Sequence, residues 1–189
     1  MSVKPGQAHA LLRRHRVKAT FCLVGINVRA HPELVRAIAD DGHTLCNHSW
    51  AHDVRLGRRS QVTIAADLMR TSRAIRAAAP TAKVEYFRQP GGAWTRRVVT
   101  TARRLGMTSL HWTIDPRDWT RPGSSALIRT VTAKARHGAI VLLHDGGGNR
   151  MDTVRALSPM LSKLRQQYSM TALPIQDTPS RGLAEAIRR

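Results

Sequence analysis

The chain has 189 residues, enough for one domain with a sizeable core, and its 42% hydrophobic, 23% charged composition is that of a folded globular protein, not a disordered tail. No apolar run approaches the roughly 20 residues that cross a bilayer, and residues 1–16 are basic without the apolar stretch of a secretory signal. Lys and Arg number 31 against 12 Asp and Glu, a net charge of +19 that attracts polyanions.

The arginines are scattered as short doublets: Arg13–Arg14, Arg58–Arg59, Arg96–Arg97 and Arg103–Arg104. That spread favours a solvated basic surface over a motif that reads nucleic-acid sequence, and nucleic acid is disfavoured as a partner.

In chain order, apolar runs alternate with helical patterns. Residues 17–24, rich in Val, Phe and Leu, read as a buried strand. Residues 32–40 read as a short helix, with Pro32 in its first turn, Glu33 at its positive end and Gly42 beyond its stop. A short strand is expected over 43–47. The longest helix is expected over 61–78, where Ile64, Leu68 and Ile75 share a face and Pro80 closes the run. Residues 84–87 read as a strand leading into a Gly/Pro turn at 89–92. Further helices are expected over 95–105, 124–136 and 153–167, and further strands over 107–114 and 139–143. A last strand over 168–175 and a basic terminal helix over 180–189, within a basic tail of 176–189, complete the reading. Cys22 and Cys46 both fall in strand-like segments. Two small buried side chains are the simplest account, and a disulfide requires the two strands to be neighbours.

This order implies an α/β fold with a parallel sheet and helices outside it. There is no linker, low-complexity stretch or internal repeat, so residues 1–189 read as one domain. The polar residues of interest fall just after strands: His48 and His52, Arg88, Asp115 and Asp118, His144 and Asp145. In a β/α barrel such positions converge on one face, where active sites lie.

Four constellations carry chemistry. In Asn47-His48-Ser49-Trp50-Ala51-His52, two histidines at i and i+4 in a helical turn would point the same way, as a divalent metal requires. Paired histidines also occur on ordinary surfaces. In Phe87-Arg88-Gln89-Pro90-Gly91-Gly92, an Arg before a rigid turn can orient a carboxylate, and the turn's N–H groups can face an oxyanion. Alone, this segment would read as a plain βα turn. Asp115 and Asp118, flanked by Trp112 and Trp119, suggest a wall facing carbohydrate, with core packing the alternative for Trp112. His144, closing the run Ile140-Val141-Leu142-Leu143, is placed as a general acid with a carboxylate partner, or else as an ordinary core histidine.

Taken in order, these segments resemble the polysaccharide deacetylase family with the NodB homology domain, carbohydrate esterase family 4. Lys18-Ala19-Thr20-Phe21, Gly42-His43-Thr44, the His48/His52 pair, Arg88–Gly92, Asp118-Trp119 and Leu142-Leu143-His144-Asp145 carry the resemblance, over roughly residues 5 to 175. Gln89 and Gly91 stand where the family often has Pro and Tyr. The resemblance implies a distorted, incomplete β/α barrel that removes acetyl groups from a chitin-like, peptidoglycan or xylan polymer or oligosaccharide. His48 and His52 would bind a divalent metal, zinc in the first place, with cobalt or nickel as alternatives. The Gly91 N–H would serve the oxyanion, His144 would protonate the leaving group with Asp118 tuning it, Arg88 would orient the base, and Trp119 and Leu142 would shape the acetyl pocket. Extracellular or cell-wall action is expected of the family, although residues 1–16 carry no export signal.

One departure bears on activity. The family opens on a strand ending Thr-Phe-Asp-Asp, which supplies the base and a third metal ligand, whereas the first carboxylate in this sequence is Glu33. The chain therefore reads as a domain truncated at its N-terminus, with its first strand missing. The readings rank as a deacetylase, then a catalytically inactive glycan-binding domain, then a basic nucleic-acid-binding protein.

Overall fold

The computed structural model describes residues 6–174. In chain order its main elements are α1 (Gln7–Arg14), β1 (Thr20–Leu23), α2 (Gly25–Ala30), α3 (Pro32–Asp40), β2 (Thr44–Asn47), α4 (Gln61–Ala78), β3 (Tyr86–Phe87), α5 (Arg96–Arg104), β4 (Thr108–Ser109), α6 (Ser124–Lys134) and α7 (Met151–Arg165). Short 3-10 turns lie at Leu56–Arg58, Pro90–Gly92 and Asp118–Thr120. The described residues form two compact units. The first comprises 6–19, 36–43 and 111–172, and the second 20–35, 44–110 and 173–174.

The second unit is built on a sheet in the order β1-β2-β3-β4, parallel throughout. Parallel neighbours need crossovers, and α4 and α5 are among the segments that supply them. All four residues of β2 are buried, as expected of an inner strand covered on both faces. Cys22 and Cys46 stand opposite each other in the β1–β2 register and are joined as a disulfide. The simpler expectation, two unlinked buried side chains, is thereby corrected: the strands are neighbours, the two cysteines are paired, and Cys22 is only partly buried. α4 starts at Ser60, whose hydroxyl accepts the Thr63 N–H, and buries Ile64, Leu68 and Ile75 completely. α5 starts at Thr95, whose hydroxyl accepts the Val98 N–H, and it buries Val98, Thr101 and Ala102 while its arginines face outward. Residues 173–174 are tied to the sheet: the Leu173 N–H donates to Thr20 Oγ1, Thr44 Oγ1 donates to the Leu173 carbonyl, and the Tyr86 hydroxyl donates to the Pro174 carbonyl.

The first unit holds α1, α6 and α7. Its core gathers Ile114, Leu127, Val131, Ala156 and Met160. Among the described residues, strand-like pairing there is limited to a parallel bridge between Ile114 and Val141.

The α/β class and its parallel pairing follow the sequence reading. Most strands are shorter than expected: 17–24 forms only Thr20–Leu23 and 84–87 only Tyr86–Phe87. The 107–114 run forms only Thr108–Ser109, 139–143 reduces to the Val141 bridge, and 168–174 carries no strand, being held through single hydrogen bonds instead. The expected terminal helix over 180–189 lies outside the described residues. α1 and α2 were not foreseen: Gly6 and Val24, the residues preceding them, offer no side-chain cap.

Leu127 is fully buried in the α6–α7 core. Leu127→Ala should cost about 2–5 kcal/mol in chemical denaturation. A loss under about 1 kcal/mol would contradict the packing described.

Candidate functional site

The candidate residues fall into two groups, one in each unit. In the second unit the group is organised by Asn47, which ends β2 and is completely buried. Its side-chain amide donates to the Leu68 carbonyl and to Ser72 Oγ, while its Oδ1 accepts the Ser49 N–H. Its backbone carbonyl accepts the Arg88 N–H, which continues the β2–β3 ladder.

His48 follows directly. Its Nδ1–H donates to the Arg88 carbonyl at 2.7 Å. That bond places the ring proton on Nδ1 and leaves Nε2 as the atom with a lone pair for a metal, the usual arrangement of a ligating histidine. The His52 ring stands with its centroid 4.9 Å from that of His48, edge to face. The two do not lie on a helical turn as the i, i+4 spacing suggested. Residues 48–53 form a loop in which Ser49 and His52 adopt φ of 63° and 56°. The neighbouring Trp50 is fixed at both ends: its N–H donates to Asp67, and the Arg70 guanidinium lies 3.6 Å over its ring. Burial raises the Asp67 pKa above the ordinary carboxylate value, against the lowering effect of the Trp50 N–H.

Arg88 is buried, and its Nε–H donates to the Leu110 carbonyl. Burial pulls its pKa down to about 10, which leaves it charged at neutral pH. Gly91 has φ +63°, and a Cβ there would lie 3.1 Å from Val54 Cγ1. The family's bulkier residue at this place would have to displace Val54 and adopt a left-handed backbone.

In the first unit the group is organised by Asp118, whose side chain is completely buried. It accepts three hydrogen bonds: the His144 Nδ1–H at 2.7 Å, the His144 backbone N–H at 2.8 Å and the Thr153 hydroxyl at 2.8 Å. Burial alone would raise its pKa, but the bonds from His144 and Thr153 outweigh it and hold the carboxyl below the usual range. The clasp fixes His144 with its proton on Nδ1 and leaves Nε2 to exchange a proton with a substrate. The His144 side chain keeps 32% of its exposure, so that atom is within reach of solvent or ligand. Trp119 is half exposed and Arg117 stacks over it at 5.4 Å, while Leu142 is buried and donates its N–H to the Ile114 carbonyl. Asp118-Trp119-Thr120 is bracketed by Arg117 and Arg121, with φ of 54° and 58°.

A further cluster in the first unit was missed in the sequence. His9, Asp41 and His43 bring one ligand-type atom each to within 4.8 Å of the others. The His9 Nε2–H donates to Asp41 at 2.7 Å. His43 Nδ1 accepts the Ala19 N–H at 3.0 Å, so the neutral ring carries its proton on Nε2. A metal held through Nε2 would need the opposite tautomer, so the cluster fits a hydrogen-bonded lock better than a metal seat. His43 stood in the quoted Gly42-His43-Thr44 turn, but nothing in the spacing linked it to His9.

The polysaccharide deacetylase family model matches residues 5–110. The chain belongs to the polysaccharide deacetylase family. It is 39% identical to a chitooligosaccharide deacetylase of a Bradyrhizobium strain, over 87% of this chain and 80% of that protein. It is 34% identical to a peptidoglycan-N-acetylglucosamine deacetylase of Bacillus cereus, over 83% of this chain and 73% of that protein. Among solved structures it resembles a mutant, with restored enzymatic activity, of a CE4-family pseudoenzyme, with a TM-score of 0.80 and 34% identity over 88% of this chain. The wild-type pseudoenzyme comes from Bacillus anthracis. This chain spans 59% of the length of that matched structure.

Two predictions follow from the geometry. Asp118→Asn replaces a buried carboxylate that accepts three hydrogen bonds and should lower stability by about 1–3 kcal/mol in chemical denaturation; an unchanged stability would contradict the clasp. Burial, aided by His9 and Lys18 and opposed by Asp41, pulls the His43 pKa from 6.5 to about 4. The unfolded chain takes up that proton first, so stability should fall as pH drops from about 6.5 to about 4 and this contribution should level off below. Urea midpoints across that window should fall less steeply in His43→Gln than in the wild type.

Proposed function

We propose that this chain is a metal-dependent hydrolase that removes acetyl groups from an N-acetylated oligosaccharide or polysaccharide of chitin-like or peptidoglycan type. The observation that carries the reading is the His48/His52 pair: His48 is fixed through Nδ1 by the Arg88 carbonyl, and its ring meets that of His52 edge to face with centroids 4.9 Å apart. These two residues would hold the cation, with zinc the first choice for imidazole ligands. When bound, it would supply Lewis-acid polarisation of the acetyl carbonyl and a water of lowered pKa.

The chain's own residues do the rest. His144, oriented through Nδ1 by Asp118, passes a proton through its Nε2 to the leaving amine. Gly91 offers a backbone N–H to the developing oxyanion, and Arg88 orients the base. Trp119 presents an aromatic face to a sugar ring, and Leu142 lines the acetyl pocket. The base and third ligand are expected of a strand ending in Thr-Phe-Asp-Asp, and Glu33 is the first carboxylate in the sequence. The likeness to a CE4-family pseudoenzyme favours one second reading, a domain that binds the glycan without turning it over.

Acetate release from N-acetylchitotetraose and from peptidoglycan, with and without a chelator, separates the two. The enzyme reading expects release that the chelator abolishes and that His48→Ala lowers more than about a hundredfold, the scale of losing a ligand or its support. Glycan binding by calorimetry without acetate, even after a strand ending in Thr-Phe-Asp-Asp is supplied at the N-terminal end, would establish the binding reading instead.

A further inference from the structure

The doublets Arg58–Arg59, Arg96–Arg97 and Arg103–Arg104 look scattered along the sequence, but part of this charge is gathered in space. In the second unit, the outer face of α5 and the start of α4 border an open cleft of about 510 Å³. Arg96, Arg97, Arg104, Gln61 and Thr100 line it, and no carboxylate does. Among the described residues, no ion pair involves Arg96, Arg97 or Arg104.

The floor of this cleft is rigid. The Thr95 hydroxyl donates to the Gly57 carbonyl at 2.9 Å while capping α5. A Cβ on Gly57 would lie 2.8 Å from Thr95 Oγ1, so only glycine permits this approach. One guanidinium is already placed, because Arg97 Nη1 donates to the Arg59 carbonyl at 2.9 Å. The nearest acidic charge in sequence, Asp53, is engaged by Arg59 at 3.1 Å. Three guanidiniums, an amide and a hydroxyl on a fixed floor are the donors that an oxyanion requires.

The cleft also has a defined place in the chain. Its 56–58 wall follows four residues after His52, and Thr95 follows the Pro90–Gly92 turn that holds Gly91. The segments that leave the candidate metal ligand and the candidate oxyanion donor therefore build it. We infer that this cleft is a specificity subsite for an acidic substituent, a sugar carboxylate, on the acetylated glycan. This rests on the glycan reading above and narrows it: a glycan carrying acidic sugars is preferred over a neutral one.

Calorimetry at about 0.15 M salt, where long-range attraction is screened, tests this with three probes. They are a tetrasaccharide alternating N-acetylglucosamine with N-acetylmuramic acid, neutral N-acetylchitotetraose, and an oligothymidylate of four phosphates. The acidic tetrasaccharide should bind about tenfold more tightly than the neutral one, the gain expected of a few partly exposed charge pairs. Arg96→Gln, Arg97→Gln and Arg104→Gln together should erase that gain and leave the neutral affinity unchanged. Removing the same charge through Arg14→Gln, Arg129→Gln and Arg136→Gln should leave the gain in place, and matching melting temperatures would show that both triple variants fold. Equal binding of the two glycans overturns the subsite alone. So does a gain lost equally in both triple variants, or an oligothymidylate that binds as tightly as the acidic glycan, since either would be attraction to net charge. If neither glycan binds, the glycan reading itself falls and the subsite falls with it.

Discussion

The second unit depends on one buried amide. Asn47 ends the inner strand with no exposure, and a polar group in that position is tolerated only with its hydrogen bonds made. The Leu68 carbonyl, Ser72 Oγ, the Ser49 N–H and the Arg88 N–H engage both its side chain and its backbone. One residue thus joins α4 to the sheet, starts the loop that carries His48 and His52, and fixes β3 where Arg88 begins. Removing it would strand several buried donors and acceptors at roughly 1–3 kcal/mol each, so the position of His48 is coupled to the stability of the unit.

Asp118 has the corresponding part in the first unit. It too is buried and saturated with hydrogen bonds, and it too fixes a histidine, His144, by its Nδ1. In each unit a histidine ring is held through Nδ1, by the Arg88 carbonyl for His48 and by Asp118 for His144. The backbone agrees with this division. Among the described residues, five non-glycine residues have positive φ, and four of them, Ser49, His52, Arg117 and Arg121, lie in these two segments. Left-handed backbone costs such residues free energy and persists where the surroundings over-determine it. The well-bonded Asn47 and Asp118 are the surroundings that do so.

Long-period features were legible in the sequence. The span of α4 could be read because Ile64, Leu68 and Ile75 mark a face and Pro80 closes the run. The ordered motifs placed His48, Arg88, Asp118 and His144 at the ends of strands or runs. What could not be read depends on tertiary contacts. Residues 139–143 are apolar enough for a strand, yet only Val141 pairs, because burying an apolar run does not require a ladder. The helical spacing of His48 and His52 misled, since their approach comes from left-handed residues that periodicity does not detect. Asn47 looked like a strand terminus because its importance lies in partners 21 and 25 residues away. His9 and His43 met for the same reason, across separate segments of chain. The arginine doublets illustrate the opposite case: dispersal in sequence disguised a cleft with no carboxylate in its wall.

These networks also separate scaffold from chemistry. The His48 backbone N–H and Nδ1–H donate to the Leu23 and Arg88 carbonyls, and the His144 N–H and Nδ1–H donate to Asp118, which Thr153 supports in turn. None of them involves a catalytic base, so losing such a base would remove the reaction without removing what positions the histidines. A family built this way can contain pseudoenzymes that keep the fold, and a mutant in which enzymatic activity is restored, as the matched structures do. Likeness of fold therefore carries little weight in deciding whether this chain turns its glycan over. The deciding quantity is a local one: whether a carboxylate stands where the water must lose its proton.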